Sequence, residues 1–337
     1  MKQNGGRRWC GCRERELIKH LFLKRILISA AWLLTALVQA QPFPVKPLRI
    51  VTSEPGGGND FGARIIGAAL TEQLGQQVLI ENRGAAGGVI AAETVARAAP
   101  DGYTMLYYGS NIWLLPFLRA SVPYDPIRDF APVTLAVRAP NLLVVHPSLP
   151  ARSVKELIAL AKARPGELNY GSGATGSSST MSTELFRHMA GIDIAHIPFK
   201  GSGPSLNALI AGQVQLAFAT PGSVSTHIKS GRLRALAITS AQPSRLRPDL
   251  PTVASVVPGY ESQSMVGAFV PFKTPPALLT RLNQEFVKAL ARPDVREKFF
   301  NVGVETVGST PEEFGALVKS EMTRLGKVIR DAGLREK

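Results

Sequence analysis

The chain of 337 residues carries 39 Lys and Arg against 25 Asp and Glu, a formal charge of +14, with two cysteines and three tryptophans. No Lys/Arg run with interleaved aromatics accompanies that charge, so nucleic acid is set aside as a partner and a basic field suited to anionic ligands remains. Both cysteines, Cys10 and Cys12, fall in the first forty residues, which excludes disulfides, thiolate catalysis and thiolate metal sites from the rest.

Those forty residues read as a cleaved leader. They hold eight of the basic and two of the acidic residues, and an uncharged run of 13 residues extends from Ile26 to Val38. The run is shorter than the roughly 20 residues a spanning helix needs, and it leads into Val38-Gln39-Ala40, a small-x-small cleavage pattern. Cleavage is expected after Ala40, since polar Gln41 and a Pro-rich start disfavour an uncleaved anchor or a buried helix. Arg7-Arg8 lacks the usual surroundings of a twin-arginine signal, and no Cys follows the site to take a lipid. The remaining 297 residues, with a net charge of +8, are expected to form a soluble periplasmic protein long enough for two lobes.

Short apolar runs alternate with amphipathic stretches, the pattern of α/β architecture. Strands are predicted at Leu48–Ser53, Val78–Glu81, Tyr103–Tyr108, Leu142–His146, Leu168–Gly171, Ile194–Phe199, Val214–Ala219, Ala235–Thr239 and Val266–Pro271. Ser153-Val-Lys-Glu156 is a capping box opening a helix that stops at Arg164-Pro165-Gly166. Thr310-Pro311-Glu312-Glu313 opens the last helix in the same way, with Phe314, Leu317, Val318, Met322, Leu325, Val328 and Ile329 on one face.

Two loops carry the functional signal. From Arg49 to Arg64 a strand, a glycine loop (Gly56, Gly57, Gly58) and a helix start follow one another. Glycines let the backbone turn tightly and present N–H groups, and the helix start adds a positive dipole end, so this is an anion site or, more plainly, a tight turn. Gly56-x-Gly58-x-x-x-Gly62 with Glu81 also resembles a dinucleotide fingerprint, against which stand the export signal and Pro55 directly before the loop. A second polar loop, Asn169 to Thr180, again joins a strand to a helix, and its serines either cap that helix or meet a ligand.

Pro55-Gly-Gly-x-x-Asp60-x-x-Ala63-Arg64, Glu81-Asn82-Arg83 and Ala99-Pro-Asp-Gly-Tyr-Thr104 occur in this order. Tyr124-Asp-Pro-x-x-Asp129-Phe-x-Pro132-Val, the Asn169–Ser179 loop, Phe199-Lys-Gly-Ser-Gly-Pro204 and Arg234-Ala-Leu-Ala-Ile-Thr-Ser240 continue the series. Together they resemble the tripartite tricarboxylate transporter receptors, also called Bug receptors, over the whole chain after the leader. The resemblance implies a type II periplasmic binding protein, with two α/β lobes around a hinged cleft. The expected lobes are 41–143 with 246–337, and 144–245, with crossings near Leu142–His146 and between Thr239 and Val266. It also implies a small organic carboxylate as ligand, held by backbone amides and ordered waters and handed to integral membrane components of a transporter. A ligand-sensing role in a signalling complex and, further off, a dinucleotide-dependent enzyme are the alternatives.

No catalytic, cofactor or metal site is expected. His146, His188, His196 and His227 form no metal spacing, and neither Gly171-Ser-Gly173 nor Gly201-Ser-Gly203 has nucleophile-elbow spacing. Many relatives carry an Asp after the strand matched here by Val214–Phe218, where this chain has Ala219-Thr220-Pro221, so a carboxylate without an amine is expected. Trp113, where relatives are often smaller and more polar, is either an apolar pocket wall or ordinary core. From loop position the ligand-binding residues are expected to be Gly57, Gly58 and Asn59, with Asp60 bracing the loop. Ser110 and Asn111 are expected to border the cleft, Ser177, Ser178 and Ser179 to face it, and Thr220 to close the side. The protein is expected to act as a monomer.

Overall fold

The computed structural model describes residues 43–56, 58–172, 176–199, 202–331 and 333–335, with 202 described by its backbone alone. The expected leader, 1–40, and Gly57 lie outside them. Residues 46–337 form one compact unit.

Two sheets organise this unit. The first is built from β1 (Leu48–Thr52), β2 (Val78–Asn82), β3 (Thr104–Gly109), β4 (Phe130–Pro140), β10 (Gln263–Pro271) and β11 (Glu305–Thr306), in the order β11-β4-β10-β3-β1-β2. β1 runs parallel to β2 and β3, while β10 lies antiparallel between β3 and β4. The second contains β5 (Leu142–Val145), β6 (Asn169–Ser172), β7 (Ala195–Pro198), β8 (Leu216–Ala219) and β9 (Arg234–Ile238), in the order β7-β6-β8-β5-β9. Leu142 and Leu143 already pair with β8 and β9, so the chain leaves the first sheet at Asn141, and it rejoins that sheet at Gln263.

All nine predicted strands are present, and β4 and β11 are additional. β4 escapes a sequence reading because it contains Pro132 and Pro140, and proline withholds a ladder N–H. Pro132 is tolerated opposite Phe269, where the β4–β10 register shifts between Ala268 and Phe269. Such irregularities are where a sheet accepts proline.

The helices are α1 (Gly58–Leu74), α2 (Val89–Ala96), α3 (Asn111–Leu118), α4 (Val154–Ala163) and α5 (Ser178–Ala190). They continue with α6 (Ser202–Ile210), α7 (Pro221–Lys229), α8 (Pro276–Ala291), α9 (Pro293–Phe300) and α10 (Pro311–Asp331). In α10 the capping box closes from both sides: Glu313 N donates to Thr310 Oγ1 at 3.1 Å and Thr310 N to Glu313 Oε2 at 2.9 Å. In α4, Glu156 N donates to Ser153 Oγ, but the Glu156 carboxylate reaches the amide of Arg152 instead of that of Ser153.

The apolar stripe of α10 packs onto β4 and α3. Phe314 fits because β10 offers Gly267 beneath it, where any Cβ would overlap the Phe314 ring. Trp113 belongs to this core. It is fully buried, with its ring 6.0 Å from those of Phe269 and Phe314, so it walls no ligand site. The helical turn of α3 points it at the sheet, where burying so large an aromatic surface is worth most.

Candidate functional site

The loop between β1 and α1 is clamped by one carboxylate. Asp60 is buried, and its Oδ2 accepts from the Gly56 amide at 2.9 Å and Arg64 Nε at 3.0 Å. Its Oδ1 accepts from Asn82 Nδ2 at 2.8 Å, and Asn82 also donates to the Ser53 carbonyl. Burial alone would raise the Asp60 pKa, but hydrogen bonds from Arg64, Asn82 and Gly56 hold it below the usual carboxylate range. Asp60 therefore has both oxygens engaged and braces the loop. The first amides of α1 have no intrahelical acceptor, and a Cβ at Gly58 would meet open space.

The loop after β6 is built from hydroxyls. Ser177 caps α5, accepting from the Thr180 amide, and its Oγ lies 2.9 Å from both Ser179 Oγ and Thr180 Oγ1. Deeper in the same helix, buried Glu184 accepts from Tyr170 and pairs with Arg187 at 2.8 Å. The His196 ring stacks on Tyr170 at 4.7 Å, with Nε2 2.6 Å from Ser172 Oγ. Burial lowers the His196 pKa, Glu184 opposes that shift and Arg187 adds to it, so this histidine is held neutral in a structural cluster.

Helix starts converge here. The first turns of α5, α6 and α7 supply Ser177–Ser179, Ser205 and Thr220 with Ser223 to one cavity of about 70 Å³. A helix start has first amides without intrahelical acceptors and carries the positive end of a dipole. Thr220 and Ser223 also line a cavity of about 380 Å³, which Gly56, Gly58 and Asn59 enter from the first sheet's side. Phe61, Val137, Val266 and Phe299 make its walls apolar. Among the described residues lining these two cavities there is no Lys, Arg, His, Asp or Glu.

The two sides touch closely at α7. A Cβ on Gly222 would stand 2.7 Å from the Val302 carbonyl oxygen, and one on Gly303, which has φ +77°, would stand 2.5 Å from Pro221 Cβ. Glycine at both positions permits this approach.

Gly58, Asn59, Ser177, Ser178, Ser179 and Thr220 thus line cavities that adjoin one another. Ser110 is buried at the start of α3, where its hydroxyl makes no cap. Asn111 donates to the Gly87 carbonyl at 2.5 Å and stands beside Gly176 of the second loop, and it lines neither cavity. Sequence reasoning missed Ser205, Ser223 and Asn141. The two serines sit in helix first turns after Phe199-Lys-Gly and Thr220-Pro, signals that were available, whereas Asn141 is a lone residue between strands. The Glu81 carboxylate, which a dinucleotide ribose would need, is paired with Arg49 and Arg83.

Two α/β halves that each carry a sheet, crossed by the chain at two points and meeting over a cavity lined from both, define a periplasmic binding protein fold. The profile of the tripartite tricarboxylate transporter family receptor (TctC) matches residues 63–334, and the chain belongs to that family of periplasmic solute-binding receptors. It is 37% identical to Protein BugT of Bordetella pertussis over 316 residues, covering 93% of this chain and 97% of that one. Its fold is similar to R. palustris Rpa4515 with adipate, at TM-score 0.77 and 38% identity over 86% of this chain and 98% of that one. MatC from Rhodopseudomonas palustris with bound malate is similar at TM-score 0.73 and 31% identity, over 85% of this chain and all of that one. No described helix is long and apolar enough to cross a membrane.

Proposed function

We propose that the protein captures a small organic carboxylate lacking an amine, closes two lobes over it and delivers it to the integral membrane components of a tripartite tricarboxylate transporter. It does so as a monomer, after export and removal of residues 1–40, and carries out no catalysis. The lobes of this reading are 41–143 with 246–337, and 144–245, hinged where the chain passes between the two sheets.

The observation that carries the proposal is a cavity lined from both sheets by helix starts and hydroxyls, with no charged side chain among its described residues. A carboxylate fits donors of this kind, because amide N–H groups at helix starts bind anions without a counter-charge. A ligand ammonium would find no acid, since Ala219 at the end of β8 and Thr220-Pro221 after it carry none. The adipate and malate bound by the two similar receptors are carboxylates without amines, which supports the same class. The lobe opposite contributes binding free energy only on closure, so occupancy shifts an open–closed equilibrium toward the closed form.

The test is calorimetry and thermal melting of the protein lacking residues 1–40, against mono-, di- and tricarboxylates and acidic amino acids. A binding acid at 100 times its Kd should add about 2.7 kcal/mol of stability. Glutamate or aspartate binding more tightly than every plain acid would overturn the amine-free reading, and the N-terminus of exported protein, read by mass spectrometry, should be Gln41.

A further inference from the structure

The cavity of about 380 Å³ lies in the size range of small-molecule sites, and its lining is mostly hydrocarbon. Gly58 and Asn59 reach it from the start of α1, Thr220 and Ser223 from the start of α7, and Phe61, Val137, Val266, Phe299 and Val304 form walls. The two hydroxyls are already engaged within α7: Ser223 Oγ donates to the Thr220 carbonyl at 2.8 Å, and Thr220 Oγ1 donates to Ser223 Oγ at 3.2 Å. Asn59 and Ser264 are the other polar side chains among the described lining residues.

Phe61 stands out on α1. Its neighbours Asp60, Gly62 and Ala63 are buried, yet Phe61 itself is 41% exposed. The ring meets that of buried Phe299 at 6.3 Å and nearly at right angles, and both rings line the cavity. An occupant with a hydrocarbon body would take apolar area of Phe61 out of water. An occupant with hydroxyls in the same place would give up hydrogen bonds to water against a surface that returns none.

We propose that Phe61, backed by Phe299, is a specificity-determining residue that selects acids with a hydrocarbon body over hydroxylated acids of the same carbon skeleton. The carboxylate meets the helix starts, and the body lies along the Phe61 ring. The apolar wall that Trp113 does not provide is thus supplied from α1. This rests on the carboxylate reading above and names the kind of acid within it. Adipate, with its hydrocarbon body, and malate, which is hydroxylated, are bound by two receptors of similar fold, so the fold does not choose between the two kinds. The walls do.

The experiment is calorimetry with two pairs of acids matched in carbon skeleton and number of carboxylates: adipate with galactarate, and cyclohexanecarboxylate with quinate. In any pair that binds, the hydrocarbon member should bind at least about tenfold more tightly than its hydroxylated partner. In Phe61→Ser, or in Phe61→Ala should the serine variant not fold, that ratio should fall toward one, and Phe61→Leu should keep most of it. A variant that weakens both members equally and leaves the ratio unchanged would make Phe61 a packing residue and overturn the inference. Parity in the wild type, or a preference for the hydroxylated acids, overturns it while leaving carboxylate binding intact. Absence of binding by all four acids sinks the carboxylate reading, and this inference with it.

Discussion

At residues 53–60 the chain is clamped by one buried carboxylate, Asp60, which gathers Gly56, Arg64 and Asn82, whereas at 176–180 it is held by the hydroxyls of Ser177, Ser179 and Thr180. Both loops end at a helix start, yet the first fixes its amides through an ion-linked network and the second through rotors that either donate or accept. A charged clamp leaves one geometry. Hydroxyls adapt to the acceptor they meet. On the binding reading, the first loop is a preformed seat and the second is the side that adjusts as the lobes close.

The largest effect should come from filling the seat. Gly58→Val places a branched side chain in open space over the α1 amides, so affinity for a bound carboxylate should fall at least about 100-fold. The melting temperature should stay close to wild type, because nothing lies within 4 Å of the new Cβ. Unchanged affinity by calorimetry, and unchanged compaction by small-angle scattering, would show that the glycine loop is only a turn.

Breaking the clamp itself should cost stability. Asp60→Asn leaves donors facing donors, and should lower unfolding free energy by about 2 kcal/mol at neutral pH in denaturant titrations. The Asp60 pKa is lowered on folding, so its contribution is present above the unfolded value of about 3.9 and is lost as pH falls through the folded value. Wild type and variant should therefore converge in acid, and a constant gap down to pH 2 would contradict the assignment.

On the hydroxyl side the effects are smaller. Ser177→Ala removes the α5 cap and should cost about 1 kcal/mol, with Ser177→Thr recovering most of it, as read by thermal unfolding. The smallest concerns His196. Because its pKa is lowered in the folded state, the unfolded chain binds its proton first, and stability is lost as pH falls below about 6.5. His196→Gln should flatten the stability profile between pH 7 and 5, and an unaltered slope would remove His196 from the account.

Much of the fold was legible along the chain. Alternation and apolar runs located nine strands, and Thr310 with Glu313 marked the start of α10 to the residue. β4 was hidden because Pro132 and Pro140 argue against a central strand, and Pro132 is accommodated where the β4–β10 register shifts beside Phe269. Asp60 was legible as a brace, since an acid in a first turn caps locally. Asn82, its partner, is 22 residues away and follows from the parallel pairing of β1 with β2.

What the sequence by itself determined is local: periodicity, caps, glycine turns, the two loops that precede α1 and α5, and an apolar Trp113 whose destination it left open. Those signals arise from steric and hydrogen-bonding preferences within a few residues, so they survive without a fold. Only the tertiary structure decided that Trp113 turns into the core and that the starts of α5, α6 and α7 meet. It alone left Asn141 Oδ1 without a donor while tying the same residue to Thr239, 98 positions away. Sheet order sets such meetings, and sheet order is the sum of many weak burial and pairing terms over the whole chain, which no single window of residues contains.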